Sequence, residues 1–174
     1  MRKDVSMTWL SDKSHRKEKF EKIYRENFER VYRYAYMILL DQHDAEDVTS
    51  ETFMAAFNEF DSYDANKASV ITWLSRIAHN KAINLLRSSA YRERNELPQM
   101  DTKGAEDKAI ENISEDVAFA TLSFLSAEER EFLTYRYVFE FSNKEIAKLQ
   151  GSTEDAIKMR YKRLLEKCRK KLSE

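Results

Sequence analysis

The chain contains 174 residues, of which 42% are hydrophobic and 35% are charged, with a formal net charge of −1 and only two Gly and one Pro. This length allows one or two small domains, and the scarcity of residues that interrupt helices favours an all-α protein over a β-sheet protein. No apolar run reaches the ~18 residues of a membrane span and no secretory signal is present, so we expect a cytoplasmic protein.

Cysteine and histidine usage argues against two further classes. The single Cys168 cannot form an internal disulfide, and the three histidines are scattered along the chain. This spacing argues against a zinc site, and the chain contains no glycine-rich phosphate loop or nucleophile arrangement that would indicate an enzyme. We therefore expect no metal, no cofactor, no small-molecule substrate and no catalytic activity.

The small net charge is the sum of blocks of opposite sign. Residues 41–66 carry eight acids and no Lys or Arg, whereas residues 67–94 carry six bases and one acid. Residues 132–174 form a second basic block with eleven bases and six acids. Local sign governs phosphate binding more than the total does, so the two basic blocks remain candidates for nucleic-acid contacts.

The first third of the chain predicts a polar start followed by a helix. Residues 1–18 are polar, and we expect a flexible extension with a frayed helical start. From Lys19 to Leu40, apolar residues recur at the i, i+3, i+4 spacing of an amphipathic helix. Its aromatic residues are interpreted as core residues rather than as base-stacking residues.

An acidic helix is predicted to begin at Asp44, which could cap it. Asp47, Ser50, Glu51 and Met54 fall at i, i+3, i+4 and i+7 and so share one face of this helix. Charge alone does not assign a function to that face. Acids are favoured near the N-terminus of a helix by the helix dipole, and a charged face is usually solvated. A polar loop follows at residues 61–69, in which Tyr63, Asn66 and Lys67 could stack on bases or bind phosphate.

The next helix is basic. Arg76, Asn80, Asn84 and Arg87 are spaced by 4, 4 and 3 residues, which places them on one polar stripe with Lys81 beside it. Arg and Lys bind phosphates, and Asn carboxamides can read base edges. The plain alternative is a solvated amphipathic face. For Trp73, in the same helix, a core position and a DNA contact both remain open.

Residues 88–112 lose the helical pattern and mark a domain boundary. Beyond it, serine capping signals at Ser126, Ser142 and Ser152 predict helices that begin near residues 127, 143 and 153. Gly151 would end the middle helix and form the turn. A short helix, a glycine turn and a longer basic helix is the helix-turn-helix arrangement.

Three segments carry a resemblance to a known family. DAEDVTSETFMAAF and TWLSRIAHNKAINLLR resemble region 2 of bacterial sigma factors of the extracytoplasmic-function (ECF) group, within the sigma-70 family. EFSNKEIAKLQGSTEDAIKMRYKRLLEKCRKKL resembles region 4 of the same family. The resemblance implies two small helical domains, region 2 over residues 19–89 and region 4 over residues 113–174, joined by a flexible linker at 90–112.

The resemblance also implies roles for individual residues. By position, Asp47, Ser50, Glu51 and Met54 would contact the beta-prime subunit of RNA polymerase, although the family usually has Gln where Ser50 stands. Residues matching those that meet the promoter −10 element are Tyr63, Asn66, Lys67, Trp73, Arg76, Asn80, Lys81, Asn84 and Arg87. Residues matching those that enter the −35 element are Thr153, Glu154, Ala156, Lys158, Met159, Arg160, Lys162 and Arg163. Asp155 and Met159 depart from the small residues usual in the family.

The resemblance implies a sigma factor that binds core RNA polymerase through its beta-prime and beta subunits, directs it to promoter DNA and assists promoter opening. An anti-sigma factor is a common partner in the family and is sometimes bound to the membrane. The alternative is a stand-alone helix-turn-helix regulator, which accounts for residues 126–172 and leaves the hairpin at 44–87 without a role. The sequence does not identify the promoter, the inducing signal or the anti-sigma partner.

Overall fold

A computed structural model describes residues 5–88 and 124–172, with side chains from His15 onward. Its regular structure in these ranges is entirely helical, which confirms the all-α prediction. The elements are α1 (Val5–Leu39), α2 (Gln42–Glu59), a 3-10 turn (Phe60–Ser62), α3 (Val70–Arg87), α4 (Ala127–Tyr137), α5 (Asn143–Gln150) and α6 (Glu154–Leu172). Within the described ranges, no helix combines the length and apolar character needed to cross a membrane.

Helices α1, α2 and α3 form a three-helix unit around one apolar core, in which every pair of helices is in contact. Burial of these apolar faces supplies the main stabilisation of the unit, at roughly 25 cal/mol per Å² removed from water. Small residues let the helices approach closely. The fully buried residues of the core include Val31, Tyr34, Ala35, Ile38, Ala45, Ala56, Leu74, Ala78 and Ala82.

The aromatic residues of α1 pack largely within this unit. Phe20 is buried and makes edge contacts with Phe53 at 6.5 Å and Phe57 at 5.0 Å between ring centroids. Phe28 stacks on Phe53 at 6.1 Å, while Tyr24 remains 41% exposed. The core interpretation of these aromatic residues is therefore correct for Phe20 and Phe28.

Two helix starts differ from the sequence predictions. Asp41, not Asp44, caps α2, because its side chain accepts a 2.8 Å hydrogen bond from the Asp44 amide and Asp44 itself is buried in the first turn. Helix α1 begins at Val5, well before the predicted start near Lys19. Arg16 ties this earlier part to α2 by donating to the Phe57 carbonyl at 2.6 Å and to Asp61 at 2.9 Å.

The second unit begins its first two helices where the capping signals predicted. Ser126 and Ser142 each form a complete capping box with the glutamate three residues later. Helix α5 ends at Gly151, which has the left-handed φ of 61° expected for a C-terminal glycine. The third cap is displaced by one residue. Thr153, not Ser152, accepts a 3.2 Å bond from the Ala156 amide.

The core of the second unit comes from all three of its helices. Phe132, Ile146, Ile157 and Leu164 are all buried. The linker predicted at 90–112 and the predicted start of region 4 at residue 113 lie outside the described residues. The proposed division of the chain at residues 19, 90 and 113 therefore stays a prediction.

Replacement of Gly151 tests the turn between α5 and α6. A Cβ added at Gly151 meets no atom within 4 Å, so the cost of Gly151→Ala comes from the left-handed backbone alone. We expect a loss of about 1 kcal/mol in the free energy of unfolding, measured by chemical denaturation. Gly151→Asn is the matched control and should lose less, because Asn tolerates this conformation. Equal losses in the two variants would contradict this explanation.

Candidate functional site

The acidic face of α2 is exposed as the spacing predicted. Asp47, Ser50 and Glu51 are solvent-exposed, and Met54 has 66% of its surface exposed. Methionine is a residue type that adaptable binding surfaces use often, because its side chain is flexible and polarizable. The opposite face of α2 is buried in the three-helix unit.

Phe57 extends this surface by one turn beyond Met54 and is 37% exposed. Phe57 was not among the residues assigned to the acidic surface from the sequence. Its i+3 spacing from Met54 was the signal that could have placed it on the exposed face. The guanidinium of Arg16 lies over its ring, 4.4 Å from the centroid.

The basic stripe of α3 is likewise exposed. Arg76, Asn80, Asn84 and Arg87 all face solvent, opposite a buried side that includes Ala78. Helix α3 begins at an ordinary serine cap, where Ser69 accepts from the Thr72 amide at 3.3 Å. The four side chains therefore form one continuous polar surface on α3 from Arg76 to Arg87.

One ion pair joins the acidic and basic surfaces. The Lys81 Nζ atom lies 2.9 Å from the Glu51 carboxylate, which connects α3 to α2. Both side chains are more than a third exposed, so solvent screens the pair. Glu51 of the acidic surface and Lys81 of the basic surface are thus neighbours where the two surfaces meet. Asp47 and Met54 precede and follow Glu51 along α2.

The loop before α3 is organised by local contacts. Tyr63 stacks on Trp73 with 4.7 Å between ring centroids, and its hydroxyl donates to the Ala68 carbonyl at 2.9 Å. Burial and the nearby Asp64 carboxylate raise the pKa of the Tyr63 hydroxyl. Trp73 is half-buried, so it contacts the core and also supports Tyr63 at the surface.

Asn66 and Lys67 are exposed at the tip of this loop. The Asp64 carboxylate accepts from the Asn66 backbone amide at 2.9 Å and from its side-chain amide at 3.1 Å. Lys67 pairs with the same carboxylate at 3.7 Å. The loop therefore presents an amide and an ammonium group held in place by one acid.

The structure divides the predicted residues of α6 into two groups. Arg160 turns inward, donating to Gln150 at 3.3 Å and lying over the Phe132 ring at 4.8 Å from its centroid. The remaining predicted residues are exposed at or near the start of α6. They are Thr153, Glu154, Ala156, Lys158, Met159, Lys162 and Arg163.

Lys158 is exposed but has local partners. It lies 3.4 Å from both the Glu154 and the Asp155 carboxylates, and these two acids raise the pKa of its ammonium group. Met159 is 52% exposed beside it. The start of α6 thus offers acidic, apolar and basic groups on one surface, and the exposed positive charges of Lys162 and Arg163 follow further along the helix.

Two family models match the chain. Residues 23–92 match the model described as Sigma-70 region 2, and residues 120–168 match the model described as Sigma-70, region 4. The first match contains the acidic and basic surfaces of α2 and α3. The second contains the helix-turn-helix formed by α5 and α6.

Curated relatives and a solved structure agree with these matches. The chain is 28% identical to the ECF RNA polymerase sigma factor BldN of Streptomyces coelicolor over 80% of its length, but spans only about half (54%) of that protein. It is also 28% identical to the ECF RNA polymerase sigma factor SigM of Bacillus subtilis, over 87% of this chain and 91% of SigM. The sigma factor RpoE of Bartonella quintana, whose structure was solved in complex with the anti-sigma factor NepR, has the same fold, with a TM-score of 0.71. The two sequences are 22% identical, and the match covers 90% of this chain and 98% of RpoE.

Lys81→Met tests whether the ion pair at the shared edge contributes to stability. Because the pair is solvated, we expect the free energy of unfolding to change by no more than about 0.5 kcal/mol. Leu74→Ala, which removes a fully buried side chain of the same helix, should cost about 2–5 kcal/mol in the same denaturation assay. A loss above about 1 kcal/mol for Lys81→Met would mean that the pair has a structural role.

Proposed function

Because the chain belongs to the sigma-70 family, in its extracytoplasmic-function (ECF) group, we propose that it binds core RNA polymerase, directs it to specific promoters and assists promoter opening. The observation that carries this proposal is the adjacency of two surfaces of opposite charge. The exposed acids and methionine of α2 share an edge with the Arg and Asn stripe of α3 through the Glu51–Lys81 pair. One compact unit can thus contact polymerase on one side and promoter DNA on the other.

Helix α2 would dock on the beta-prime subunit. In the proposed contact, Met54 and Phe57 form an apolar centre, and Asp47, Ser50 and Glu51 form a polar rim around it. This arrangement matches the usual anatomy of protein interfaces, in which apolar contacts at the centre supply most of the affinity. The acids of the rim would pair with basic groups of the polymerase and so set the position of α2 on its surface.

Helix α3 and the loop before it would engage the −10 element. Arg76 and Arg87 would hold phosphates, while Asn80 and Asn84 would contact base edges. Tyr63 rests on Trp73 and could present the outer face of its ring to an unstacked base. Asn66 and Lys67 at the loop tip would then meet the displaced strand.

Helix α6 would enter the major groove at the −35 element. Lys162 and Arg163 are exposed for phosphate or guanine contacts, and Met159 could meet thymine methyl groups. For Arg160 we propose a positioning role, because its guanidinium is engaged with Gln150 and lies over the buried Phe132 ring. The two promoter contacts reinforce each other because one chain carries both.

The remaining proposals concern partners and activity. We propose that the chain is not an enzyme itself, that it acts in the cytoplasm beside the nucleoid, and that an anti-sigma factor regulates it. The complex of RpoE with NepR supports an anti-sigma partner. The rival function of a stand-alone regulator lacks comparable support, because residues 23–92 match sigma region 2, which such a regulator would not need.

Charge reversal at Asp47 tests the proposed polymerase contact. Asp47→Lys should raise the Kd for core RNA polymerase about tenfold, because it places like charge against a basic partner surface. Glu29→Lys is the matched control, since it changes the same charge on the exposed side of α1. Binding can be measured by fluorescence anisotropy with labelled chain. If the parent and Asp47→Lys bind core RNA polymerase with equal affinity, α2 is not the docking helix.

Two neighbouring residues of α3 test the proposed division between phosphate and base contacts. In holoenzyme binding to promoter variants, Arg76→Ala should weaken all sequences similarly and lower the salt slope by about one. Asn80→Ala should instead lose about 1–3 kcal/mol of discrimination at one −10 position and keep the salt slope. Each variant serves as the control for the other. Identical effects of the two substitutions would rule out this division of roles.

A further inference from the structure

The C-terminal end of α2 is completed by a cation from another helix. The last turn of α2 contains no basic residue, and residues 41–66 carry no Lys or Arg. The free carbonyl groups at a helix C-terminus carry partial negative charge, and Glu59 adds a full negative charge there. Arg16 of α1 supplies positive charge at this end by donating to the Phe57 carbonyl at 2.6 Å, although the two residues are 41 positions apart.

The same guanidinium makes two further contacts. Its Nε atom donates to the Asp61 carboxylate at 2.9 Å, and its central carbon lies 4.4 Å from the centroid of the Phe57 ring. A planar guanidinium can bind a carbonyl, a carboxylate and an aromatic face together, whereas the ammonium group of lysine is a point charge. The Arg16 side chain is only 28% exposed, so it is held within this group of contacts rather than extended into solvent.

Two neighbours hold the Phe57 ring in place. The guanidinium of Arg16 lies over the ring, and Phe20 meets it edge-on with 5.0 Å between ring centroids. Phe57 nevertheless keeps 37% of its surface exposed. A side chain that is ordered before a partner arrives loses less conformational entropy on binding. Arg16 thus prepares Phe57 for the apolar centre of the proposed polymerase contact.

Asp61 connects the same arginine to the loop before α3. Asp61 lies in the 3-10 turn that follows α2, and the Tyr63 amide closes this turn by donating to the Phe60 carbonyl at 3.2 Å. Tyr63 then stacks on Trp73. The chain therefore enters the Tyr63–Trp73 pair from a turn that Arg16 ties to α1.

We propose that Arg16 is a positioning residue that fixes the end of α2, and that it thereby sets both the Phe57 part of the polymerase surface and the start of the loop before α3. Its consequences for polymerase and promoter rest on the proposed function, whereas the cap on α2 does not. The contacts with Phe57 act on polymerase affinity. The contact with Asp61 acts on promoter opening, because it holds the turn that leads into Tyr63.

Amide hydrogen exchange tests the cap on the free, full-length chain. Arg16→Ala should raise the exchange rates of residues 57–63 about fivefold, because the end of α2 frays when its carbonyl group loses the guanidinium. Residues 74–84 of α3 provide an internal reference and should keep their rates. Lys17→Ala is the matched control, since it removes the same charge from the adjacent, exposed position. Unchanged exchange at residues 57–63 in Arg16→Ala would overturn the cap.

Binding to core RNA polymerase tests the role of Arg16 in affinity. Arg16→Ala should raise the Kd about fivefold, and Phe57→Ala should raise it at least as much. In the double variant the two losses should not add, because Arg16 acts on affinity through Phe57. Arg16→Lys should recover part of the affinity, because lysine keeps the charge but cannot make all three contacts. Fully additive losses would contradict a positioning role.

A fluorescent base analogue in the −10 element tests the role of Arg16 in promoter opening. With saturating core polymerase and chain, Arg16→Ala and Asp61→Ala should each slow opening about fivefold. Asp61→Ala should keep the parental Kd for core polymerase, which separates the two contacts of Arg16. Glu59→Ala is the matched control, because it removes an exposed acid two residues earlier. Parental opening rates in both Arg16→Ala and Asp61→Ala would refute this part of the proposal.

These measurements separate a positioning role from plain stabilisation and from failure of the proposed function. Circular dichroism at the assay temperature should show equal helical content in all variants, so that changes in affinity are those of folded chains. If Arg16→Ala exchanges faster at residues 57–63 but binds and opens as the parent does, the positioning role is wrong. If the parent itself does not bind core polymerase, the proposed function fails, while the exchange rates still decide the cap.

Discussion

Burial of the apolar side of α1 is the constraint on which the rest of the structure depends. Tyr34 and Ile38 of this helix are fully buried, and α1 contacts α2, α3 and α4. Because a helix interior of this kind tolerates little change in volume, the three partners are held at defined angles around it. Each helical surface discussed above is the outward side of a helix whose inward side meets this core or that of the second unit.

The division between inward and outward sides explains how charge is distributed. Most apolar residues of α2 lie in the core, whereas its outward side carries acids together with Met54 and Phe57. The outward side of α3 carries Arg and Asn side chains. The Glu51–Lys81 pair at their shared edge is solvated and adds little stability. The opposite charges of the two helices are thus not required for folding, which is consistent with the two different partners proposed above.

The contact of α4 with the first three-helix unit, where Glu131 meets Tyr34 of α1 and His79 of α3, has a different physical character from these solvated surfaces. A buried carboxylate such as Glu131 is costly to desolvate and is tolerated only with several good hydrogen bonds, here from two tyrosines and a histidine. Such a contact is specific, because removing any partner leaves a buried charge poorly satisfied. The hydrogen bond to Glu131 raises the pKa of its partner His79. A purely apolar contact would lack this directional specificity.

Features encoded within a few residues were determined by the sequence alone. Helical type, the boxes at Ser126 and Ser142, the glycine turn at Gly151 and the exposed stripes of α2 and α3 all follow from spacings of three or four residues. The cap of α2 was misplaced by one turn, because two acids compete there within three residues of each other and only packing decides between them. Contacts across long separations were decided by the tertiary structure, such as Glu131 with Tyr34, 97 residues away, and with His79, 52 residues away. The same holds for the inward turn of Arg160 and the exposure of Phe57, because periodicity says which side of a helix a residue occupies and not which neighbour covers it.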